Sequence, residues 1–271
     1  MNELGSDAFT GVSETLLIPL YFRAVEANER DPIVRDDRAK ALVERIPYDF
    51  SRFDRLDADR VFTLMRSRQF DRHARAFLAE HPSSAVVEIG CGLDDRLGRV
   101  DNGKVDWYNL DLPAVIALRT KLLGEEARSQ SIACSVLDPA WLERVRTPSG
   151  VPCLFLAEGV LPYFDESQVR RLVLTLRDRY PGSELVFDVL SPFMVWLQRL
   201  QPGTRDAAKL LRWALSRDNE LERWGKGLRL LGSWNYFSER EPRLGRVSLL
   251  RLVPPIARGA RILRYSLGRP A

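Results

Sequence analysis

"VVEIGCGLDDRLGR", Val86–Arg99, is the stretch on which the fold turns. A short apolar run that meets two glycines one residue apart reads as a buried strand turning tightly into a helix, the entry to an α/β sheet. Gly90 and Gly92 permit that turn and let a ligand approach the backbone closely. Such a turn usually faces a nucleotide, yet Asp94 and Asp95 follow at once, and carboxylates there would repel a pyrophosphate. A dinucleotide fingerprint also needs a third glycine where Asp95 stands, which counts against a nicotinamide cofactor.

Outward from this stretch the alternation continues. Strands are expected at "AVVEI" (85–89), "VDWYNLDL" (105–112), "QSIACSVL" (130–137), "PCLFLAE" (152–158) and "ELVFDVL" (184–190). Helices are expected between them at "PAVIALRTKLLG", "PAWLERVR" and "ESQVRRLVLTLRDRY", and strands joined through helices run parallel. "LRLLGSWNYF" (228–237) and "ARILRYSL" (260–267) read as two more strands, antiparallel to one another. Upstream, "ETLLIPLYFRAVEAN", "DDRAKALVERI" and "DADRVFTLMRSRQFDRHARAFLAE" carry apolar residues at helical spacing until His81-Pro82-Ser83-Ser84 breaks the run. The expectation is one domain over residues 1–271, with a helical cover over 1–84 and a core over 85–271 that holds a helical insertion at about 191–225.

Composition narrows the function. The 271 residues are 45% hydrophobic and carry a net charge of only +4, enough apolar material for a full core and too little positive charge to demand nucleic acid. Cys91, Cys134 and Cys153 lie in or beside apolar runs and read as buried, reduced thiols. With His73 and His81 the only histidines, no zinc-type spacing and no nucleophile–histidine pair appears, and no metal is expected. The N-terminal "MNELGSDAFTGVSETLL" lacks the basic region and apolar core of a signal peptide, so a cytoplasmic protein without membrane partners is expected. "RLGRVSLLRLVPPIARGARILR" is basic and apolar by turns, but Pro254-Pro255 interrupts it and a solvated face is the preferred reading.

The loop and the strand ends carry Glu88, Asp94, Asp111, Asp138 and Glu158, a rim that suits a cation better than a phosphate. S-adenosylmethionine fits: it has an adenosine, no phosphate, a sulfonium and an ammonium. Asp111 closes the second strand about twenty residues beyond the glycines, where a carboxylate can accept both ribose hydroxyls. Asp94 and Asp95 also read as the N-cap and first-turn acid of the next helix.

"VVEIGCGLDDR", "YNLDLP", "CSVLDPAW" and "FLAEGVLPYF" in that order, with "RSRQFD" (66–71) upstream, resemble the successive motifs of the leucine carboxyl methyltransferase superfamily, in particular its bacterial polyketide O-methyltransferase, tetracenomycin-type branch. The resemblance spans about residues 15–268. It implies a class I methyltransferase fold, a Rossmann-like seven-stranded, mostly parallel sheet with a reversed final hairpin and an N-terminal helical cover. By the same resemblance Glu88, Gly90 and Gly92 line S-adenosylmethionine, Asp111 takes the ribose, Leu137 and Asp138 address the adenine, and Glu158 reaches the methionine end. Arg66 is the choice for the cofactor carboxylate, with Arg68 as second. Asp95 stands where the family usually has threonine.

On the acceptor side Tyr163 follows "EGVLP" at a strand exit, and Arg23 lies on the first helix; both are candidates to shape a substrate cleft, and both also read as packing or surface residues. His73, beside "RHAR", reads as solvated or interfacial. The function expected is S-adenosylmethionine-dependent O-methylation of a small-molecule carboxylate or phenol, including a polyketide. A carboxylate acceptor is ionised at neutral pH and needs no general base, whereas a phenol would gain from a base or a cation. The sequence assigns no catalytic residue. The alternatives are methylation of a protein C-terminal carboxylate and a non-catalytic cofactor-binding regulator.

Overall fold

The computed structural model describes residues 16–124, 127–148, 150–200 and 205–268. In chain order the regular elements are α1 (Leu17–Glu26), α2 (Asp37–Arg45), α3 (Asp57–Glu80), β1 (Ala85–Ile89), α4 (Arg96–Val100), β2 (Asp106–Asp111), α5 (Pro113–Leu123), β3 (Ser129–Ala133), β4 (Leu154–Ala157), α6 (Glu166–Arg179), β5 (Ser183–Leu190), α7 (Pro192–Leu200), α8 (Arg205–Lys209), β6 (Leu228–Asn235), α9 (Pro254–Ala257) and β7 (Ala260–Leu267). The seven strands form one sheet in the order β3-β2-β1-β4-β5-β7-β6. Its parallel pairs β2–β3, β1–β4 and β4–β5 and its antiparallel β5–β7 and β6–β7 pairs give the mostly parallel sheet with a reversed final hairpin.

The chain divides into two compact units, Met1–Ser83 with Cys91–Val145, and Ser84–Gly90 with Arg146–Ala271. In the first, α3 keeps Leu64, Met65, Phe70, Ala74, Phe77 and Leu78 buried, at the three- and four-residue spacing of one helix face. β2 buries Trp107 to Leu110, while its partner β3 buries only Ile132, as an edge strand does. α5 begins on Pro113, whose fixed φ suits a first turn, and stops at Gly124 with φ +76°. His73 is half-buried, with Gln69 of the preceding turn of the same helix 3.2 Å away.

In the second unit every residue of β1 is buried, Glu88 included, and every residue of the wholly apolar β4 likewise, as in strands covered on both faces. α6 opens with a capping box between Asp165 and Gln168 and buries Val169, Leu172, Val173 and Leu176. β6, at the edge, alternates and carries a bulge between Leu230 and Gly232 that leaves Leu231 outward.

Some expected boundaries shift. The third strand ends at Ala133, because Ser135 and Asp138 fold residues 134–138 into a turn. Cys134 there is half-buried, whereas Cys91 and Cys153 are buried. "PAWLERVR" forms a 3-10 turn, Pro139–Arg144, rather than an α-helix. The helical text of 191–225 yields α7, α8 and a 3-10 turn at Glu220–Trp224, with residues 201–204 outside the described residues. Residues 210–219 are not helical because Arg212 and Trp213 donate their backbone N–H to Pro162 O (2.8 and 3.2 Å) and Leu215 donates to Leu190 O (3.0 Å). The start of the first expected helix, Glu14 and Thr15, and the rest of residues 1–15 fall outside the described residues. Among the described residues no helix is long and apolar enough to cross a membrane.

Candidate functional site

In the first unit the loop after β1 is built around Gly92 and Asp111. Gly92 has φ +52°, and a Cβ there would meet Leu16 Cδ2 at 3.1 Å. Its backbone N–H donates to Asp111 Oδ2 at 2.9 Å, and Leu112 N–H donates to Asp111 Oδ1 at 2.7 Å. Each carboxylate oxygen is thus fixed by one amide and keeps capacity to accept a further hydrogen bond. Burial pushes the Asp111 carboxyl up from its ordinary value, against the downward pull of those amides and Arg119. Beside it Leu112 is 54% exposed, and at the exit of β3 Leu137 is 37% exposed. Two exposed leucines at the carboxyl ends of neighbouring strands are apolar surface on which a flat ring can lie. Asp138 is exposed, and its Oδ1 caps the following 3-10 turn by accepting from Ala140 N–H at 3.0 Å.

The two aspartates that opened the reading are committed inside the protein. Asp94 accepts from Arg96 Nη2 at 2.9 Å and from Arg99 Nη1 at 2.6 Å, with Arg23 Nε 3.7 Å away. Burial alone would raise its carboxyl, but Arg23, Arg99 and Arg96 outweigh burial and hold it well below the usual range. Arg99 also reaches Asp71 (2.8 Å) and Asp36 (3.1 Å), and Arg96 pairs with Asp71. Three buried guanidiniums from α1 and α4 therefore meet three buried carboxylates, Asp36, Asp71 and Asp94, a neutral set that clamps the glycine loop to the helical cover. Asp95 pairs with Arg38 at 2.8 Å and makes no capping bond at the start of α4. Arginines of the protein itself, and not a ligand, balance both acids.

Arg23 belongs to the clamp: its Nε donates to Asp36 (2.9 Å) and its Nη2 to Leu93 O (3.1 Å). Arg66 is half-buried on α3 between the buried Met65 and Ser67. Arg68, two residues on, lines a cavity of about 540 Å³ with Asp71, Asp95 and Arg99. Sequence reading missed Arg96, Arg99 and Arg119, the last of which donates to the Gly92 and Asp94 carbonyls from α5. The trace of Arg96 and Arg99 in the sequence is the recurrence of arginine and aspartate in "RSRQFD" and "DDRLGR".

The second unit holds Glu88, buried on β1, and Gly90 at φ +67°. A Cβ on Gly90 would lie 2.3 Å from Val160 Cγ2, so both the backbone angle and the neighbour require glycine. Glu158 is half-buried just past β4, where Gly159 N–H donates to Asp188 Oδ1 at 2.6 Å. Tyr163 ends the 3-10 turn Leu161–Tyr163 and is 40% exposed.

These features match known proteins. A sequence model of the leucine carboxyl methyltransferase family matches residues 17–177. The tetracenomycin polyketide synthesis O-methyltransferase TcmP of Streptomyces glaucescens is 32% identical over 264 residues, 95% of this chain and 97% of that protein. The S-adenosyl-L-methionine-dependent methyltransferase dpfgK of Gibberella zeae is 31% identical, covering 83% of this chain and 82% of its own. Among solved structures, a candidate methyltransferase from Thermobifida fusca YX aligns with TM-score 0.57 at 18% identity, over 94% of this chain and 95% of that one, a likeness of fold alone. The chain belongs to the leucine carboxyl methyltransferase family and is an S-adenosylmethionine-dependent methyltransferase.

Proposed function

We propose that the chain is a cytoplasmic, single-domain O-methyltransferase whose acceptor is a small-molecule carboxylate or phenol of polyketide type. The observation that carries the reading of the site is Asp111, oriented by two backbone amides beside the exposed Leu112 and Leu137. In this reading Asp111 accepts the ribose hydroxyls, and Leu137 and Asp138 flank the adenine. Glu88, Gly90 and Gly92 line the cofactor, and the two glycines let the backbone approach it closely. Glu158 faces the methionine end, and Arg66 grips the carboxylate through parallel hydrogen bonds. The residues present fit the cofactor, which when bound supplies a sulfonium-activated methyl group: a carbon–oxygen bond forms as the carbon–sulfur bond breaks. The chain's own contribution is to hold the two reactants in line. Tyr163 is assigned to the acceptor side. Arg23, an acceptor candidate in the sequence, is assigned instead to holding the loop, because its donors serve Asp36 and Leu93.

The relative that is 32% identical along nearly the whole of both chains, a polyketide synthesis O-methyltransferase, supports the small-molecule acceptor. The test is transfer of label from methyl-tritiated S-adenosylmethionine to a panel of aromatic polyketide acids and phenols, with peptides bearing a free C-terminal leucine as the competing acceptor. Label in a small molecule is the expected result. Label in the peptide alone would overturn the acceptor assignment, and binding of cofactor with no acceptor turned over would favour the non-catalytic regulator.

A further inference from the structure

The second unit contains a cavity of about 720 Å³ that none of the roles above uses, a size suited to a small organic ligand. It opens where β5 ends at Leu190, β6 ends at Asn235 and β7 begins at Ala260, with Ser191, Asn235 and Arg261 in its wall. β4 and β5 are parallel, so this is the strand edge at which Glu158 leaves β4, the edge where open α/β sheets take their ligands. α7 starts there at Pro192, and Phe193, 40% exposed, gives the wall an aromatic face.

The charge in the cavity is one-sided. It is lined by Arg217, Arg258 and Arg261 against one carboxylate, Asp218. Asp218 is committed to Arg261 Nη1 at 2.7 Å, while Arg261 Nη2 donates to Leu215 O, so the guanidinium plane is fixed. Arg261 is 7% exposed, yet its Nε–H is buried with no acceptor among the described residues. Arg217 and Arg258 are exposed at the rim and make no side-chain ion pair or hydrogen bond among the described residues. The ion pair is neutral, which leaves two positive charges facing the cavity.

We propose that this cavity is the acceptor subsite and takes a planar organic anion, with Arg217 and Arg258 as the rim charges that select for it. The inference rests on the methyltransferase reading for what becomes of the ligand, not for whether an anion binds. The two guanidiniums at the mouth, Arg217 and Arg258, draw an oxyanion in with a strength that salt reduces. The same charges would favour the ionised form of a phenol, which supplies the cation that a phenol acceptor needs.

The probe is 2-naphthoate, with the neutral 2-naphthalenemethanol as its isostere, titrated calorimetrically into the full chain in the presence of S-adenosylhomocysteine. Naphthoate is expected to bind about 10-fold more tightly than the alcohol, the scale of one charged hydrogen bond. The double variant Arg217→Ser/Arg258→Ser should remove most of that preference and leave the alcohol's affinity unchanged. Equal binding of naphthoate and alcohol, or naphthoate affinity unmoved by the double variant, would overturn the proposal. Heat from S-adenosylhomocysteine, measured in the same samples, should be unchanged in every variant. Absence of that heat in the unmodified protein would overturn the methyltransferase reading while the naphthoate result still judged the anion site.

Discussion

Replacing Asp94 with alanine is expected to lower the unfolding free energy by about 3–5 kcal/mol, because it removes one member of a buried, charge-balanced set and leaves three guanidiniums facing two carboxylates. Urea unfolding followed by tryptophan fluorescence reads the loss as a lower midpoint. The pH dependence has a definite sign. The folded-state carboxyl lies well below its ordinary value, so its stabilisation is complete above the unfolded value of about 3.9 and is lost as pH falls through the folded value. The gap between the native protein and Asp94→Ala should therefore be constant near neutrality and narrow only in strong acid. Asp95→Asn is the control: its partner Arg38 is 41% exposed, and the cost should be about 1 kcal/mol or less. Equal losses at the two positions would mean that the glycine loop is not clamped by the six-charge set.

The second large effect is on turnover. Arg66→Lys should bind S-adenosylmethionine several-fold less well and lose about 100-fold in single-turnover rate, since lysine keeps the charge without the planar fork and a small misplacement of the reacting atoms is amplified in the rate. Arg66 rides on a helix of 24 residues with a buried face, a rigid platform for aiming a ligand. Arg68→Lys, on a side chain that lines the cavity with Asp71 and Asp95, should be nearly silent. A damaging Arg68→Lys with a silent Arg66→Lys would exchange the two roles. Silence in both would place the cofactor carboxylate elsewhere.

Much of this was legible beforehand where local pattern and tertiary environment agree. "AVVEI" is β1 to the residue and "DADRVFTLMRSRQFDRHARAFLAE" is α3, because a fully buried strand and a long one-faced helix each write their periodicity without interruption. Asp111 could be placed at the end of its strand, and the structure puts its carboxylate on Gly92. What could not be read depends on partners far away in sequence. Asp94 looks like a ligand-facing acid until Arg23, 71 positions earlier, is seen beside it. Residues 210–219 carry helical spacing, yet their amides bond to carbonyls at Pro162 and Leu190, and no local rule anticipates that competition. The basic stretch near the C-terminus, preferred as a solvated face, forms a 3-10 run kinked at Gly245 with Leu249 and Leu252 outward. Its Arg258 and Arg261 point to a role that charge counting could not assign.

The most direct test is calorimetric titration of S-adenosylhomocysteine and of NAD into the native protein and into Asp111→Ala. Loss of hydrogen bonds to a charged group costs about 1.5–3 kcal/mol each. The native protein should bind the demethylated cofactor at about micromolar affinity and show no heat with NAD, and Asp111→Ala should bind it at least ~10-fold more weakly with its fold intact. Heat with NAD and none with S-adenosylhomocysteine, or an Asp111→Ala affinity within twofold of the native value, would contradict the account.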